Sequence, residues 1–165
     1  MDKQQRLIVA ILGGILAVLV ICLVVLVLTR TPEIIVSDFD KPPFDENALL
    51  GTPEEAVARE DYRTINVKDN YSFSICGAPS FADGSLVPYF ASHGTNEVWL
   101  LLKVYDVDGT ELGKSGLIRP GEYVKSIALS RAPSGDTVQV KILSYEPETY
   151  FSRGAASAVL PLSTD

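Results

Sequence analysis

Thr137-Val138-Gln139-Val140-Lys141-Ile142-Leu143-Ser144-Tyr145 sets apolar Val138, Val140 and Ile142 against polar Thr137, Gln139 and Lys141. A period of two sends successive side chains to opposite faces of a strand, so this stretch reads as a β-strand with one buried and one wet face. Upstream, residues 97–107 (EVWLLLKVYDV) are almost continuously apolar and run into Asp108-Gly109. That pattern predicts a central strand turning back through a tight hairpin, with Trp99 or its neighbours anchoring the core. Shorter strands are expected at 64–68, 71–76, 85–91, 116–118, 122–130 and 158–162, with turns at Pro120-Gly121 and Pro133-Ser134-Gly135. Pro88 and Pro161 interrupt two of these runs and place them at sheet edges or bulges. Seven or eight short strands in residues 64–165, with turn signals at regular spacing and no helical period, predict an all-β antiparallel sandwich of two sheets; a small barrel is the alternative.

The N-terminal part obeys a different pattern. Leu7 to Leu28 (LIVAILGGILAVLVICLVVLVL) contains no charged residue over 22 positions. At about 1.5 Å per residue such a helix is roughly 33 Å long, enough to cross about 30 Å of hydrocarbon. No polar residue recurs at 3.6-residue spacing to make a solvated face, which argues against a core helix. The run is too long for a signal-peptide core and no A-x-A-like site follows it, so the sequence predicts a retained single-pass anchor rather than a cleaved leader. Lys3 and Arg6 precede it, whereas Arg30 alone follows directly before Glu33, Asp38 and Asp40. The positive-inside rule then puts residues 1–6 in the cytoplasm and the rest outside the cell membrane. Ala10 with Gly14 and Gly13 with Ala17 are small pairs four apart, which leaves a homodimer through the span open.

Residues 29–63 hold nine acidic and four basic side chains, together with Pro32, Pro42, Pro43 and Pro53. Most of the chain's net charge of −7 lies there, and the stretch reads as an extended acidic linker. One ordered piece is expected within it. Thr52-Pro53-Glu54-Glu55 has the form of a capping box, predicting a helix of about two turns near 53–60.

The order Asn96-Glu97-Val98-Trp99, Asp108-Gly109-Thr110-Glu111-Leu112, Lys114-Ser115-Gly116-Leu117-Ile118, Arg119-Pro120-Gly121 and the run Tyr123 to Leu129 resembles a group of membrane-anchored, mostly uncharacterised surface proteins of Gram-positive bacteria of the clostridial type. The resemblance covers roughly Leu86 to Leu162. It departs from that group's pattern at Ser92-His93-Gly94-Thr95 and at Gly135-Asp136-Thr137. It implies an immunoglobulin-like fold and surface display, and brings no activity with it, because the matching residues are turn and core residues.

The residues offer little to an enzyme. One His and two Cys among 165 residues cannot supply a blue-copper set or a zinc site of recognisable spacing. No Ser sits in a G-x-S-x-G elbow that could serve His93, and Asp106-x-Asp108-Gly109 lacks the glutamate of a calcium loop, Leu117 standing in its place. No metal or cofactor is expected, and the acidic balance disfavours nucleic acid. Cys22 lies in the apolar span, so Cys76 is expected as a buried strand thiol without an internal partner, an intermolecular pairing being the alternative. Tyr145, Tyr150 and Phe151 flank Glu146-Pro147-Glu148-Thr149 in an aromatic-rich loop and are the candidate partner contact. The expected function is a non-catalytic, membrane-anchored module for protein or cell-wall interaction. The alternatives are an accessory subunit of a membrane or secretion complex and, last, an envelope hydrolase or metal-binding protein.

Overall fold

The computed structural model describes residues 40–68 and 70–163, together with Asp2, Gln4 and Val20. The chain divides into two units, residues 1–40 and 41–165. The expected tail, anchor and membrane orientation lie outside the described residues apart from Asp2, Gln4 and Val20. Among the described residues no helix is long and apolar enough to cross a membrane.

The second unit is all-β and antiparallel. Strands β1 (Leu49–Leu50), β9 (Glu122–Val124), β6 (Phe90–Ser92), β3 (Tyr71–Cys76) and β2 (Tyr62–Val67) form one sheet in that order. A second sheet runs β10 (Ile127–Ala128), β5 (Ser85–Val87), β4 (Ser80–Ala82), and a third runs β12 (Ser152–Pro161), β11 (Thr137–Tyr145), β7 (Trp99–Tyr105), β8 (Glu111–Lys114). The alternating strand is β11, with the bounds its alternation predicts, and it buries Val138, Val140, Ile142 and Ser144. Phe73 and Phe90 of the first sheet, Leu86 and Ile127 of the second, and Leu100, Leu102, Val104, Val140 and Ile142 of the third share one hydrophobic cluster. Trp99 itself is half-buried, and the core is anchored by its neighbours Leu100 and Leu102.

Several expected strands divide. The run 85–91 breaks at Pro88 and at Tyr89, whose φ is +47°, so that β5 and β6 belong to different sheets. Its neighbour 122–130 breaks at the same level: Phe90 pairs with Val124 and Leu86 with Ile127, while the Tyr89 N–H donates to the Lys125 carbonyl. Two adjacent strands therefore turn one corner together, which is how strands pass between sheets. The expected strand 116–118 is reduced to single bridges, Leu117 with Phe44 and Leu100 with Ile118. The hairpin after β7 uses the five residues 106–110, not two, with Gly109 at φ +83°. Pro161 stands near the end of an edge strand, as expected.

The linker expectation needs correction from Lys41 on, where the compact unit begins; residues 29–39 lie outside the described residues. Leu117 donates its N–H to the Pro43 carbonyl and accepts from Asp45 N–H, and β1 pairs with β9. Three of the linker acids are engaged: Asp45 accepts from Gly116 N–H at 2.8 Å, Asp61 binds Arg59 and the Ala78 N–H, and Glu55 accepts from Tyr89 and Lys125. Helix α1 (Glu54–Val57) is one turn, not two, and no capping box forms. Pro53 occupies the N-cap and has no side-chain donor or acceptor, while the Glu55 carboxylate is taken by Tyr89 and Lys125.

Cys76 is a free, fully buried thiol on β3. Burial pushes its pKa up to about 11 from an ordinary 9.0. A rise from 9.0 to about 11 cuts the thiolate fraction about hundredfold. Alkylation of the native chain near pH 8, followed at Cys76 by peptide mass, is therefore expected to be about hundredfold slower than in denaturant. Because the folded state holds this proton more tightly, the thiol's contribution to stability is complete below about pH 9 and is lost as the pH rises through about 11.

Asp106, 1% exposed, ties the loop after β10 to the β7–β8 turn. Its carboxylate accepts from the Ser134 hydroxyl at 2.8 Å, the Ser134 and Val107 N–H groups, and Arg131 at 2.6 Å. Burial alone would raise its pKa, but these donors together hold it below the ordinary carboxylate range. The stabilisation is present above the unfolded pKa near 4 and disappears as the pH falls through the lower folded value. Asp106→Asn is expected to lower Tm at pH 7 by roughly 5–10 °C, with the gap to the parent narrowing as the pH falls below about 4.

Candidate functional site

One end of the third sheet gathers the aromatic residues. In the β7–β11 register Trp99 lies opposite Tyr145, and the parity that buries Leu100 and Ile142 puts both on the outer face. Tyr150 packs edge-on against the Trp99 ring, centroids 5.3 Å apart, and Phe44 does the same at 4.8 Å. Cations cover the outside: the Arg119 guanidinium lies 3.7 Å over the Phe44 ring and the Lys41 ammonium 5.0 Å over Tyr150. Such contacts contribute about 0.5–1 kcal/mol each when exposed, so they orient the rings more than they hold the fold.

The β11–β12 loop is closed on itself. Glu146 N–H donates to the Phe151 carbonyl at 2.8 Å and Tyr150 N–H to the Glu146 carbonyl at 3.0 Å. The Thr149 hydroxyl donates to the Glu146 carboxylate at 2.9 Å. Glu148 and Tyr150 have φ of +66° and +59°, left-handed conformations that cost side-chain-bearing residues energy unless the surroundings impose them. Here the closing bonds and the edge-on contact with Trp99 do so. The result is that Phe151 stands 69% exposed beside a fixed aromatic platform.

Of the three residues read from the sequence, Tyr145 and Tyr150 join this platform half-buried and Phe151 projects from it. Sequence reasoning missed Phe44, Lys41 and Arg119, which arrive from a supposed linker and from the stretch after β8. No local pattern announces a residue that reaches the site only through tertiary packing.

Two shallow cavities lie elsewhere, on the outer face of the five-stranded sheet. One, of about 400 Å³, is lined by Glu55, Tyr89, Tyr123 and Lys125; the other, of about 530 Å³, by Tyr62, Thr64, Ser74 and His93. In the first, Tyr89 O–H and Lys125 each donate to the same Glu55 oxygen at 2.6 Å. These donors, Lys125 first, hold the Glu55 carboxyl below its usual range. Glu55 thus clamps the corner at which the paired strands change sheets. His93 sits in a loop, its Nδ1 2.9 Å from the Thr95 hydroxyl. Ser115 is engaged by the Leu102 N–H and the Gly116 carbonyl. Among the described residues no three His, Cys, Asp or Glu side chains are gathered in a way that could hold a metal ion.

Comparison with protein-family models, curated proteins and solved structures finds no match to this chain.

Proposed function

We propose that this chain is a non-catalytic surface module, held at the cell membrane by Leu7 to Leu28, that binds a protein or cell-wall component through the end of its third sheet. In this reading the N-terminus is cytoplasmic and an immunoglobulin-like sandwich is displayed outside. The observation that carries it is Phe151, 69% exposed on a loop whose backbone is closed and braced by the edge-on Trp99–Tyr150 contact. An exposed aromatic on a closed loop, beside rings that carry cations, needs little backbone ordering on contact and can serve as an anchor. The uncharged N-terminal run and the resemblance in residues 86–162 support anchoring and display.

A photo-crosslinking amino acid placed at position 151 in living cells tests it. The expected result is a discrete adduct that is absent from the same probe at Ser134 and lost on Tyr150→Ala. Equal adducts at both positions, or none, would overturn the reading, as would resistance of the second unit to protease added to intact cells. The small pairs Ala10/Gly14 and Gly13/Ala17 favour a second reading, an accessory subunit whose span makes the specific contact. Exchanging the span for an unrelated apolar helix keeps the position-151 adduct if the module acts by display, and abolishes it if the span selects the partner.

A further inference from the structure

The outer edge of β12 is the longest free strand edge among the described residues, and its geometry is set by parity. Leu102 of β7 turns its N–H to the Ser115 hydroxyl and its carbonyl to the Ser115 N–H. Leu101, Lys103 and Tyr105 therefore spend theirs on their β11 partners Leu143, Lys141 and Gln139. The alternate β11 residues Val138, Val140, Ile142 and Ser144 are left to bond Leu160, Ala158, Ala156 and Gly154 of β12. The Leu162 N–H donating to the Asp136 carbonyl at 2.7 Å continues the same alternation.

It follows that Arg153, Ala155, Ser157, Val159 and Pro161 direct their backbone groups away from the sheet. At one end the Asn70 side chain donates to the Arg153 carbonyl. At the other, Pro161 has no N–H to offer. What remains is a window of three residues, Ala155, Ser157 and Val159, each exposed and each presenting one N–H and one carbonyl.

Natural sheet edges are normally guarded by charge, proline or shortness. The other edges here follow that rule: β1 and β10 have two residues each, β4 three, β8 four with Glu111 and Lys114, and β2 carries Arg63. In β12 the seven residues 154–160 (GAASAVL) bear no charge and no proline.

The window is symmetric about Ser157, and this selects its occupant. If a second copy of the strand runs antiparallel with Ser157 opposite Ser157, Ala155 meets Val159 and Val159 meets Ala155. All three N–H groups and all three carbonyls of each copy are then paired. Ala156 and Ala158 exchange places across the axis, and the methyl groups of Val159, 66% exposed in one copy, are covered by Ala155 of the other. Within residues 155–159 no side chain is large enough to hold the strands apart, and the paired strand diverges past Leu160, where the Asn70 side chain occupies the edge at Arg153. Self-complementarity of this kind is what a two-fold interface requires. We propose that β12 pairs antiparallel with β12 of a second copy of this chain about a two-fold axis at Ser157, joining two four-stranded sheets into one of eight. The pairing uses only the second unit and stands whether or not residues 7–28 cross a bilayer.

Disulfide trapping on the full chain tests it, in detergent and in native membranes. With Cys22→Ser in the background and Cys76 buried, Ser157→Cys places its thiol on the axis. Facing residues of a hydrogen-bonded antiparallel pair have Cα atoms about 5.5 Å apart, inside the range a disulfide spans. Mild oxidation is expected to convert most of the chain to a covalent dimer. Ser152→Cys is the control: its copies would lie about 34 Å apart along the strands, and no dimer should form. Val159→Pro, added to Ser157→Cys, removes an N–H aimed at the free edge and leaves the β11 ladder whole; dimer yield is expected to fall at least tenfold while Trp99 emission stays unchanged. A monomeric chain overturns the proposal, as does a dimer that does not cross-link at position 157, which would be held by the span or another face. Capture of a different protein by the Ser157→Cys chain, or indifference to Val159→Pro, overturns it equally.

Discussion

Gly116→Ala is expected to destabilise the second unit by about 3 kcal/mol and to shift the emission of the chain's single Trp to longer wavelength. A Cβ at position 116 would stand 2.5 Å from the Asp45 backbone nitrogen, 2.6 Å from its Cα and 2.8 Å from the Phe44 carbonyl carbon. These are backbone atoms, which cannot swing aside as a flexible side chain could. The segment 43–45 would have to lift, losing Leu117 N–H to Pro43, Asp45 N–H to Leu117 and Gly116 N–H to Asp45. Phe44 would leave Trp99 with it, which is why fluorescence reports the event. Phe44→Ala should reproduce the spectral shift with a smaller loss of stability, since it removes the ring and spares the backbone bonds. A Gly116→Ala chain with unaltered Tm and emission would mean that residues 41–48 are not held as described.

Phe90→Ala should cost about 3–5 kcal/mol, among the largest stability effects expected from a single substitution. Phe90 is fully buried, its ring centroid 5.9 Å from that of Phe73, and it follows directly after the corner at Pro88 and Tyr89. Truncation removes the transfer energy of the ring and leaves a cavity that cannot collapse, because β6 is held by β3 on one side and β9 on the other. Urea unfolding monitored by Trp99 emission measures the change, with Phe151→Ala as reference. Phe151 is 69% exposed, so its loss should stay within about 0.5 kcal/mol, and a comparable loss for both variants would contradict the assignment of the core.

The uneven legibility of this chain has a physical basis. β11 could be delimited from Val138, Val140 and Ile142 because a half-buried strand writes its two faces directly into alternating residues. β3 was legible for the same reason, with Tyr71, Phe73 and Ile75 inward. The corner at Tyr89 and Lys125 was not, since a strand that changes sheets keeps a strand's composition through the change and only Pro88 interrupts it. Residues 41–63 were misread because charge counting cannot tell a solvated carboxylate from one that binds a backbone N–H, as Asp45 and Asp61 do. At the candidate contact, Tyr145, Tyr150 and Phe151 were visible as a local cluster, while Phe44 and Arg119 joined it from distant stretches.

By itself the sequence determined the all-β class, the central strands, the buried thiol and the aromatic loop, since each rests on local periodicity or composition. Only the tertiary structure decided that an acidic stretch is part of the folded unit, that paired strands turn a corner clamped by Glu55, and that β12 keeps an open edge. Those features depend on which backbone groups are already engaged by residues far away in the chain, and hydrogen-bond parity across three strands leaves no mark on any one of them.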